Sequence, residues 1–362
     1  MAACGWSQDE RETSHPLSAS ASTFCDDTDG SCSETQPLVE QEAPPCDVHS
    51  ICAEPTKHFR RVSFKAKFRF VPEFRVWCRH GEYEMTHVLR CSDVTLGATD
   101  VTVYTRKHEN CACLDHVVVK TVDKVESDSE VGNVRATRFM NLSHKMLVDA
   151  NVVYEPPDEE AAAGRGPEAY TAVVMPPCPG NLREAMPVTF EAKMHAFRRV
   201  AYHVNTLWTA AGLAYLDMKT ANVLVTSLSA PEAHVVLCDY GAMCARGCSG
   251  GNATYPPPSE PSGLDVPATE ASVCWGLGVL LVTLFEPDTE EAFRFTARAT
   301  RSRPGERKAA CLKLRSAMNN ARAHFQTYMP RAAQHALDEC WRSFIAPSPS
   351  RLLHVLQTVS AF

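Results

Sequence analysis

Residues 215–222 read Tyr-Leu-Asp-Met-Lys-Thr-Ala-Asn, and residues 239–241 read Asp-Tyr-Gly. Between these two polar stretches lie apolar runs at 223–225 and 235–237, separated by a turn-forming segment. Short runs of Val and Leu bounded by polar residues are typical of buried strands. We therefore predict a β-hairpin that holds the two polar stretches at facing strand ends.

The side chains of these stretches suit phosphoryl transfer. That chemistry uses one carboxylate to accept or orient the proton of a substrate hydroxyl, and a lysine near the transferred phosphate. It also uses an amide oxygen and a second carboxylate as Mg²⁺ ligands. Asp217 and Lys219 are the candidates for the first pair, and Asn222 and Asp239 are the candidates for the second.

With these motifs the chain resembles the protein kinase family, from about residue 85 to its C-terminus. The resemblance implies an α+β, bilobal fold with a small β-rich N-lobe at 85–175 and a larger helical C-lobe at 176–362. It also implies ATP and Mg²⁺ as cofactors, Ser/Thr residues of proteins as substrates, and a monomer. Lys219 favours this family over antibiotic and choline kinases, whose matching loops lack a lysine there.

The resemblance also assigns residues of the N-lobe. The apolar strand 116–120 ends in Lys120, 97 residues before Asp217, and this lysine would pair the α- and β-phosphates; a solvent-facing lysine at a strand end is the alternative. Gly97 lies where a glycine-rich phosphate loop is expected, although kinases usually have three glycines in this loop and only Gly97 is present here. Glu130, on a predicted helix at 127–148, is the best-placed partner for Lys120, and Glu126 is the second choice.

A strand at 170–175 is followed by Pro-Pro-Cys-Pro-Gly at 176–180, which resembles the segment between kinase lobes. Met175 would lie beside the adenine. Because proline has no backbone N–H, the hydrogen bond to the base would come from Cys178.

Three features complete or qualify the resemblance. Tyr215 and Leu216 stand where most kinases have His-Arg, so activity should not depend on phosphorylation of the segment after Asp239. The apolar run 272–285 predicts the central helix of the C-lobe, but its acidic anchor would fall at Ser272 or Val273, with Glu270 as a possible substitute. A buried ion pair is expected between Glu260 and Arg351.

The rest of the chain has a different composition. Residues 1–56 are acidic and poor in aromatics, which predicts a disordered tail. Residues 57–84 are basic, and the alternation of apolar and charged residues over 62–70 predicts one half-buried strand. The basic faces of this extension and of 290–322 are read as solvated, with a localisation or acidic-partner patch as the alternative.

Composition limits the function further. A formal charge of −7 argues against general nucleic-acid binding. The apolar run at 272–285 is too short to span a membrane, no secretory signal is expected, and sixteen scattered cysteines favour reduced thiols. We therefore expect a soluble intracellular protein without membrane or direct nucleic-acid partners.

The degenerate glycine loop, the missing His-Arg and the acidic tail together resemble the protein kinases that herpesviruses encode. That resemblance implies a location in the virion tegument and the host nucleus, with viral and host proteins as substrates. Two alternatives stay open: a pseudokinase scaffold, favoured by the missing glycines and helix anchor, and a small-molecule phosphotransferase.

Overall fold

The computed structural model describes residues 51–65, 67–90, 99–107, 113–123, 145–147, 153–154, 168–227, 234–248, 253–257, 266–287, 323, 327, 330–345 and 351–360. These residues all belong to one compact unit that covers 44–362. Most of the predicted acidic tail and the basic segment 290–322 lie outside the described residues, so these two predictions stay predictions. The helix predicted at 127–148 is described only at 145–147, where the residues form a strand, so the prediction of a helix was wrong there.

A large antiparallel sheet contains the first eight described strands. Its strand order is β1-β2-β3-β4-β5-β8-β6, and β7 pairs with β8. The bounds are β1 Cys52–Phe64, β2 Lys67–Cys78, β3 Gly81–Arg90, β4 Thr99–Arg106, β5 His116–Asp123, β6 Lys145–Leu147, β7 Val153–Tyr154 and β8 Glu168–Met175. The predicted strands at 116–120 and 170–175 are confirmed as β5 and β8.

The alternating segment 62–70 is a hairpin, so the prediction of one strand there was wrong. β1 ends at Phe64, β2 begins at Lys67, and the two residues face each other in the register. Lys65 turns the chain with a φ of 49°. Glycine or asparagine normally marks such a turn, and a lysine gives no sequence signal for it.

The first three strands are continuous with the strands that follow. β1 begins at Cys52, inside the predicted tail, and β3 crosses the expected boundary between residues 84 and 85 while pairing with both β2 and β4. Acidic neighbours also partly neutralise the basic face, since Arg75 Nη2 lies 2.8 Å from Glu82 Oε1 across β2 and β3.

Four α-helices are described: α1 Phe190–Thr206, α2 Glu270–Phe285, α3 Arg331–Ile345 and α4 Arg351–Ser360. Thr189 caps α1 by accepting a hydrogen bond from the Ala192 amide, and a π-helical turn at Leu207–Ala211 extends the helix. The predicted buried helix is confirmed as α2, because almost every residue of it is inaccessible to solvent. In the described part of the chain, no helix is both long and apolar enough to cross a membrane.

Two small sheets lie beside these helices. One has the order β12-β11-β9, formed by His234–Leu237, Val223–Ser227 and Gly180–Asn181, and the other pairs β10 (Leu213–Tyr215) with β13 (Met243–Ala245). In the first sheet, Val223 faces Leu237 and Val225 faces Val235. The hairpin predicted from the two apolar runs is therefore confirmed.

The buried side chains form two hydrophobic cores. One lies against the large sheet and includes Val71, Val76, Val117, Val119 and Val174. The other is built from the helices and the small sheets and includes Phe197, Val200, Val225, Leu277 and Leu280. The protein is thus a mixed α+β structure.

Candidate functional site

The β11–β12 hairpin brings the two polar stretches together. Asp217 and Lys219 follow β10, and Asn222 ends a 3₁₀ turn that leads into β11. Asp239 follows β12 on the other side of the hairpin, where the Cys238 amide donates to the Asn222 carbonyl over 2.9 Å. This bond extends the strand pairing to the site itself, so both stretches are held by backbone geometry.

Asp217 is held by donors from three residues. The Thr254 amide donates to Oδ1 over 2.8 Å, and Asn222 Nδ2 donates to Oδ2 over 3.0 Å and to the Asp217 carbonyl over 3.0 Å. Lys219 Nζ donates to the same Oδ2 atom. The residue is 8% exposed, so its charge is compensated largely by protein groups rather than by water.

Lys219 also connects Asp217 to the segment after Asp239. Its ammonium group donates to Thr254 Oγ1 over 3.1 Å, so Thr254 binds the site through both its amide and its hydroxyl. Sequence reasoning did not identify Thr254, which lies 37 residues after Asp217 in a stretch without regular periodicity. The one available signal was its polar side chain directly before the Tyr-Pro-Pro-Pro run at 255–258.

Asp239 has a different environment. Its backbone adopts the left-handed conformation, with φ 63° and ψ 66°, which is uncommon for a residue with a side chain. Lys120 Nζ lies 2.8 Å from Oδ1, and the Asp239 side chain is 40% exposed. Burial acts to raise the pKa of Asp239, but the charge and hydrogen bond of Lys120 outweigh it, so the pKa lies below its usual value of 3.8. The carboxylate is therefore ionised and partly open at neutral pH.

Two buried tyrosines hold the backbone that leads into Asp239. The Tyr215 hydroxyl donates to the Cys238 carbonyl over 2.5 Å, and the Tyr240 hydroxyl donates to the Leu237 carbonyl over 3.1 Å. The two rings meet edge to face, with centroids 6.4 Å apart. Burial raises the pKa of Tyr215 well above its usual value, which keeps the phenol protonated and able to donate.

The structure describes both residues that were expected beside a nucleotide base. Met175 ends β8, and the half-buried Cys178 follows three residues later. Burial raises the pKa of the Cys238 thiol to about 12, and nearby groups including Asp239 and Cys178 contribute to the shift. The predicted roles of Met175 and Cys178 beside a nucleotide base stay predictions.

Four other predicted residues lie outside the described residues: Gly97, Glu126, Glu130 and Glu260. The phosphate loop, the Lys120–glutamate pair and the Glu260–Arg351 pair therefore stay predictions.

In the described contacts, Glu270 does not replace the acidic anchor that the sequence lacks at Ser272 and Val273. The Ser272 hydroxyl lies 3.0 Å from Thr269 Oγ1, within the cap of its own helix, and Val273 is apolar. Glu270 Oε1 accepts a hydrogen bond from the Leu352 amide at the start of α4. Trp275 Nε1, by contrast, donates to the Tyr255 carbonyl over 3.2 Å and thereby holds the segment that carries Thr254.

Asn222 and Asp239 are the candidates to hold a divalent cation. The described residues contain no cluster of three or more His, Cys, Asp or Glu side chains that would bind a metal by themselves. Mg²⁺ that acts on phosphates is usually bound through one or two carboxylates together with substrate oxygens. The partly exposed Asp239 carboxylate fits that donor set, and the backbone bond from Cys238 to Asn222 holds the two stretches side by side.

No protein-family model matches the chain, and no curated protein is similar to it at a significant level.

Proposed function

We propose that the protein is an ATP- and Mg²⁺-dependent Ser/Thr protein kinase with a bilobal kinase-like fold. The observation that carries the proposal is the set of contacts around Asp217. Lys219, Asn222 and the Thr254 amide all donate to its carboxylate. Asp239, which follows the neighbouring hairpin strand, is paired with Lys120 of β5. Two carboxylates, an amide side chain and lysines are the groups that phosphoryl transfer in kinases uses.

Asp217 would orient the substrate hydroxyl and receive its proton. Its fixed oxygens support that role, because a general base must be held within hydrogen-bond reach of the group that it deprotonates. Lys219 would place its positive charge beside the transferred phosphate, close to Asp217. Catalysis of this kind depends on positioning and electrostatics rather than on a covalent intermediate.

Asn222 and Asp239 would bind Mg²⁺ through their side-chain oxygens. When bound there, Mg²⁺ would neutralise negative charge on the phosphates. Lys120 would contribute a further positive charge from β5, and its 2.8 Å contact with Asp239 supports its place in the same site. Met175 and the Cys178 amide would contact the adenine, since Pro176 and Pro177 have no N–H to donate.

The narrower proposal is a herpesvirus-type kinase that acts on viral and host proteins in the virion tegument and host nucleus. It rests on the sequence departures at Tyr215, Leu216 and the glycine loop. Immunolabelling of the expressed chain in cells tests the nuclear part, and exclusion from the nucleus would contradict it.

The test is transfer from γ-labelled ATP, with Mg²⁺, to a generic basic protein. We expect label on Ser and Thr residues with the wild-type chain and none with Asp217→Ala. Asp115→Ala is the matched control, since Asp115 is an exposed aspartate whose described ion pair is with Arg106. Equal labelling by Asp217→Ala would overturn the proposal.

The other outcomes discriminate between the alternatives. ATP binding in a thermal-shift assay without any transfer would favour a pseudokinase scaffold, in which the closed contacts of Asp217 have a structural role. Transfer to small hydroxyl or amine compounds, but not to protein, would favour a small-molecule phosphotransferase.

A further inference from the structure

Gly276 lies in α2 where this helix packs against the loop that carries Asp217 and Lys219. The helix contacts β10, directly before the loop, and the 3₁₀ turn at Thr220–Asn222 directly after it. Met218 lies between these two contacts, and only 2% of it is exposed. The centre of α2 therefore supports the middle of the catalytic loop.

The approach of helix and loop at this point requires a glycine. A β-carbon on Gly276 would lie 2.9 Å from Met218 Cβ and 3.8 Å from Met218 Cγ. Carbon atoms in contact normally stay about 3.5–4.0 Å apart. Because a Cβ atom is bonded directly to the backbone, rotation of the Met218 side chain cannot relieve this overlap. Either the helix or the loop backbone has to move.

This packing is a contact between α2 and the loop that does not depend on the acidic anchor, which the sequence lacks at Ser272 and Val273. Among the described hydrogen bonds, those of Ser272 stay within the helix cap and that of Glu270 goes to α4. Neither side chain is bonded to the catalytic loop in these contacts. The described link between α2 and the loop is the direct packing of Gly276 on Met218.

We infer that Gly276 is a positioning residue for Asp217 and Lys219. Met218 is covalently bonded to both residues, so a shift of its backbone moves the carboxylate and the ammonium together. The inference rests on the proposed phosphotransfer function of the same site. Displacements of about 1 Å in a reacting group lower rates by about 10²-fold, so a smaller forced shift has a measurable effect.

The first test is Gly276→Ala. We expect kcat to fall by about 10- to 100-fold, while the KM for ATP stays near the wild-type value because the added β-carbon meets Met218 of the loop. Val282→Ala is the matched control: Val282 lies on the same helix, is fully buried, and is not at the loop contact. It should lower the melting temperature but leave kcat unchanged. A similar loss of kcat in both variants would overturn the inference, since the effect would then follow stability.

A double variant tests the contact itself. Met218→Gly removes the Cβ atom that overlaps with a side chain at position 276. In this background, Gly276→Ala should change kcat by less than about twofold, although Met218→Gly lowers the rate by itself. An undiminished effect of Gly276→Ala would overturn the inference. The double variant also provides a soluble form if Gly276→Ala alone does not fold.

Hydrogen exchange separates this inference from the proposed function. The Asn222 amide donates to the Lys219 carbonyl over 3.0 Å, and the Thr254 amide donates to Asp217 Oδ1 over 2.8 Å. Both amides should exchange faster in Gly276→Ala than in Val282→Ala, and slowly again in the double variant. If these two amides exchanged at the same rate in Gly276→Ala as in Val282→Ala, the inference would be overturned, whatever the activity of the variants. A wild-type chain without phosphotransfer, but with this exchange pattern, would refute only the proposed function.

Discussion

The loops around Asp217 and Asp239 both place a carboxylate at the candidate site, but they hold it in opposite ways. Asp217 is 8% exposed, and its two oxygens accept hydrogen bonds from Lys219, Asn222 and Thr254. The side chain of Asp239 is 40% exposed and accepts one described hydrogen bond, from Lys120. At Asp239 the preceding backbone is held instead, because the hydroxyls of Tyr215 and Tyr240 donate to the carbonyls of Cys238 and Leu237.

This contrast explains how two similar groups can do different work. A carboxylate that must receive one proton from one hydroxyl benefits from a fixed orientation. A carboxylate that must bind a cation needs a free oxygen, and the cation itself then orders the side chain. Under the proposed function, the same residue type would therefore act as a base at Asp217 and as a metal ligand at Asp239.

We expect the largest effect on activity when either carboxylate of the site is removed. Asp217→Ala and Asp239→Ala should each lower transfer by more than about 10³-fold, but only Asp239→Ala should remove the Mg²⁺-dependent part of ATP binding. Isothermal titration with ATP, in the presence of Mg²⁺ or EDTA, measures this difference. Asp115→Ala serves as the control for loss of an aspartate.

The division of roles would be contradicted if Asp217→Ala also lost the Mg²⁺ dependence. The division of roles would be supported if Asp239→Ala bound ATP with the same affinity in the presence of Mg²⁺ and in the presence of EDTA.

Motif spacing allowed both carboxylates and their partners Lys120, Lys219 and Asn222 to be predicted, while Thr254 could not be. The runs 223–225 and 235–237 predicted the hairpin, and the hairpin brings Asn222 close to Asp239. Thr254 is a tertiary partner without a local pattern, so no periodicity could reveal it. The turn at Lys65 was missed for a related reason, because its positive φ is imposed by the surrounding sheet rather than by its residue type.

The second prediction concerns the hydroxyl that accepts from Lys219. Thr254→Ala keeps the amide bond to Asp217 but removes the 3.1 Å contact with Lys219 Nζ. We expect kcat to fall by about 10-fold, within the range typical of groups that orient acid–base catalysts, with little change in the KM for ATP. Steady-state kinetics of Thr254→Ser provide the control, since serine retains the hydroxyl and should retain most of the rate. A Thr254→Ser variant as slow as Thr254→Ala would show that the methyl group matters instead.

The third prediction concerns the backbone before Asp239. Tyr215→Phe keeps the buried ring but removes the bond to the Cys238 carbonyl. Loss of one buried hydrogen bond should lower the free energy of unfolding by about 1 kcal/mol. Because this carbonyl directly precedes Asp239, we also expect a higher Mg²⁺ concentration for half-maximal activity. Tyr240→Phe, which releases the Leu237 carbonyl one residue farther away, should destabilise to a similar degree with a smaller Mg²⁺ effect.

The smallest expected effect is on the pH dependence of stability. Lys120 holds the pKa of Asp239 below 3.8, so this ion pair stabilises the folded state at neutral pH and stops doing so as the pH falls through the folded pKa. In Lys120→Met the effect of burial remains, and the pKa of Asp239 should rise above its unfolded value. The melting-temperature gap between wild type and variant should therefore be widest at pH 7 and should shrink by roughly 1–3 °C towards pH 3, a small change because much of the carboxylate is exposed to solvent. Scanning calorimetry across this range measures the gap; a gap that widens towards acid would mean that Asp239 is not the partner of Lys120 in solution.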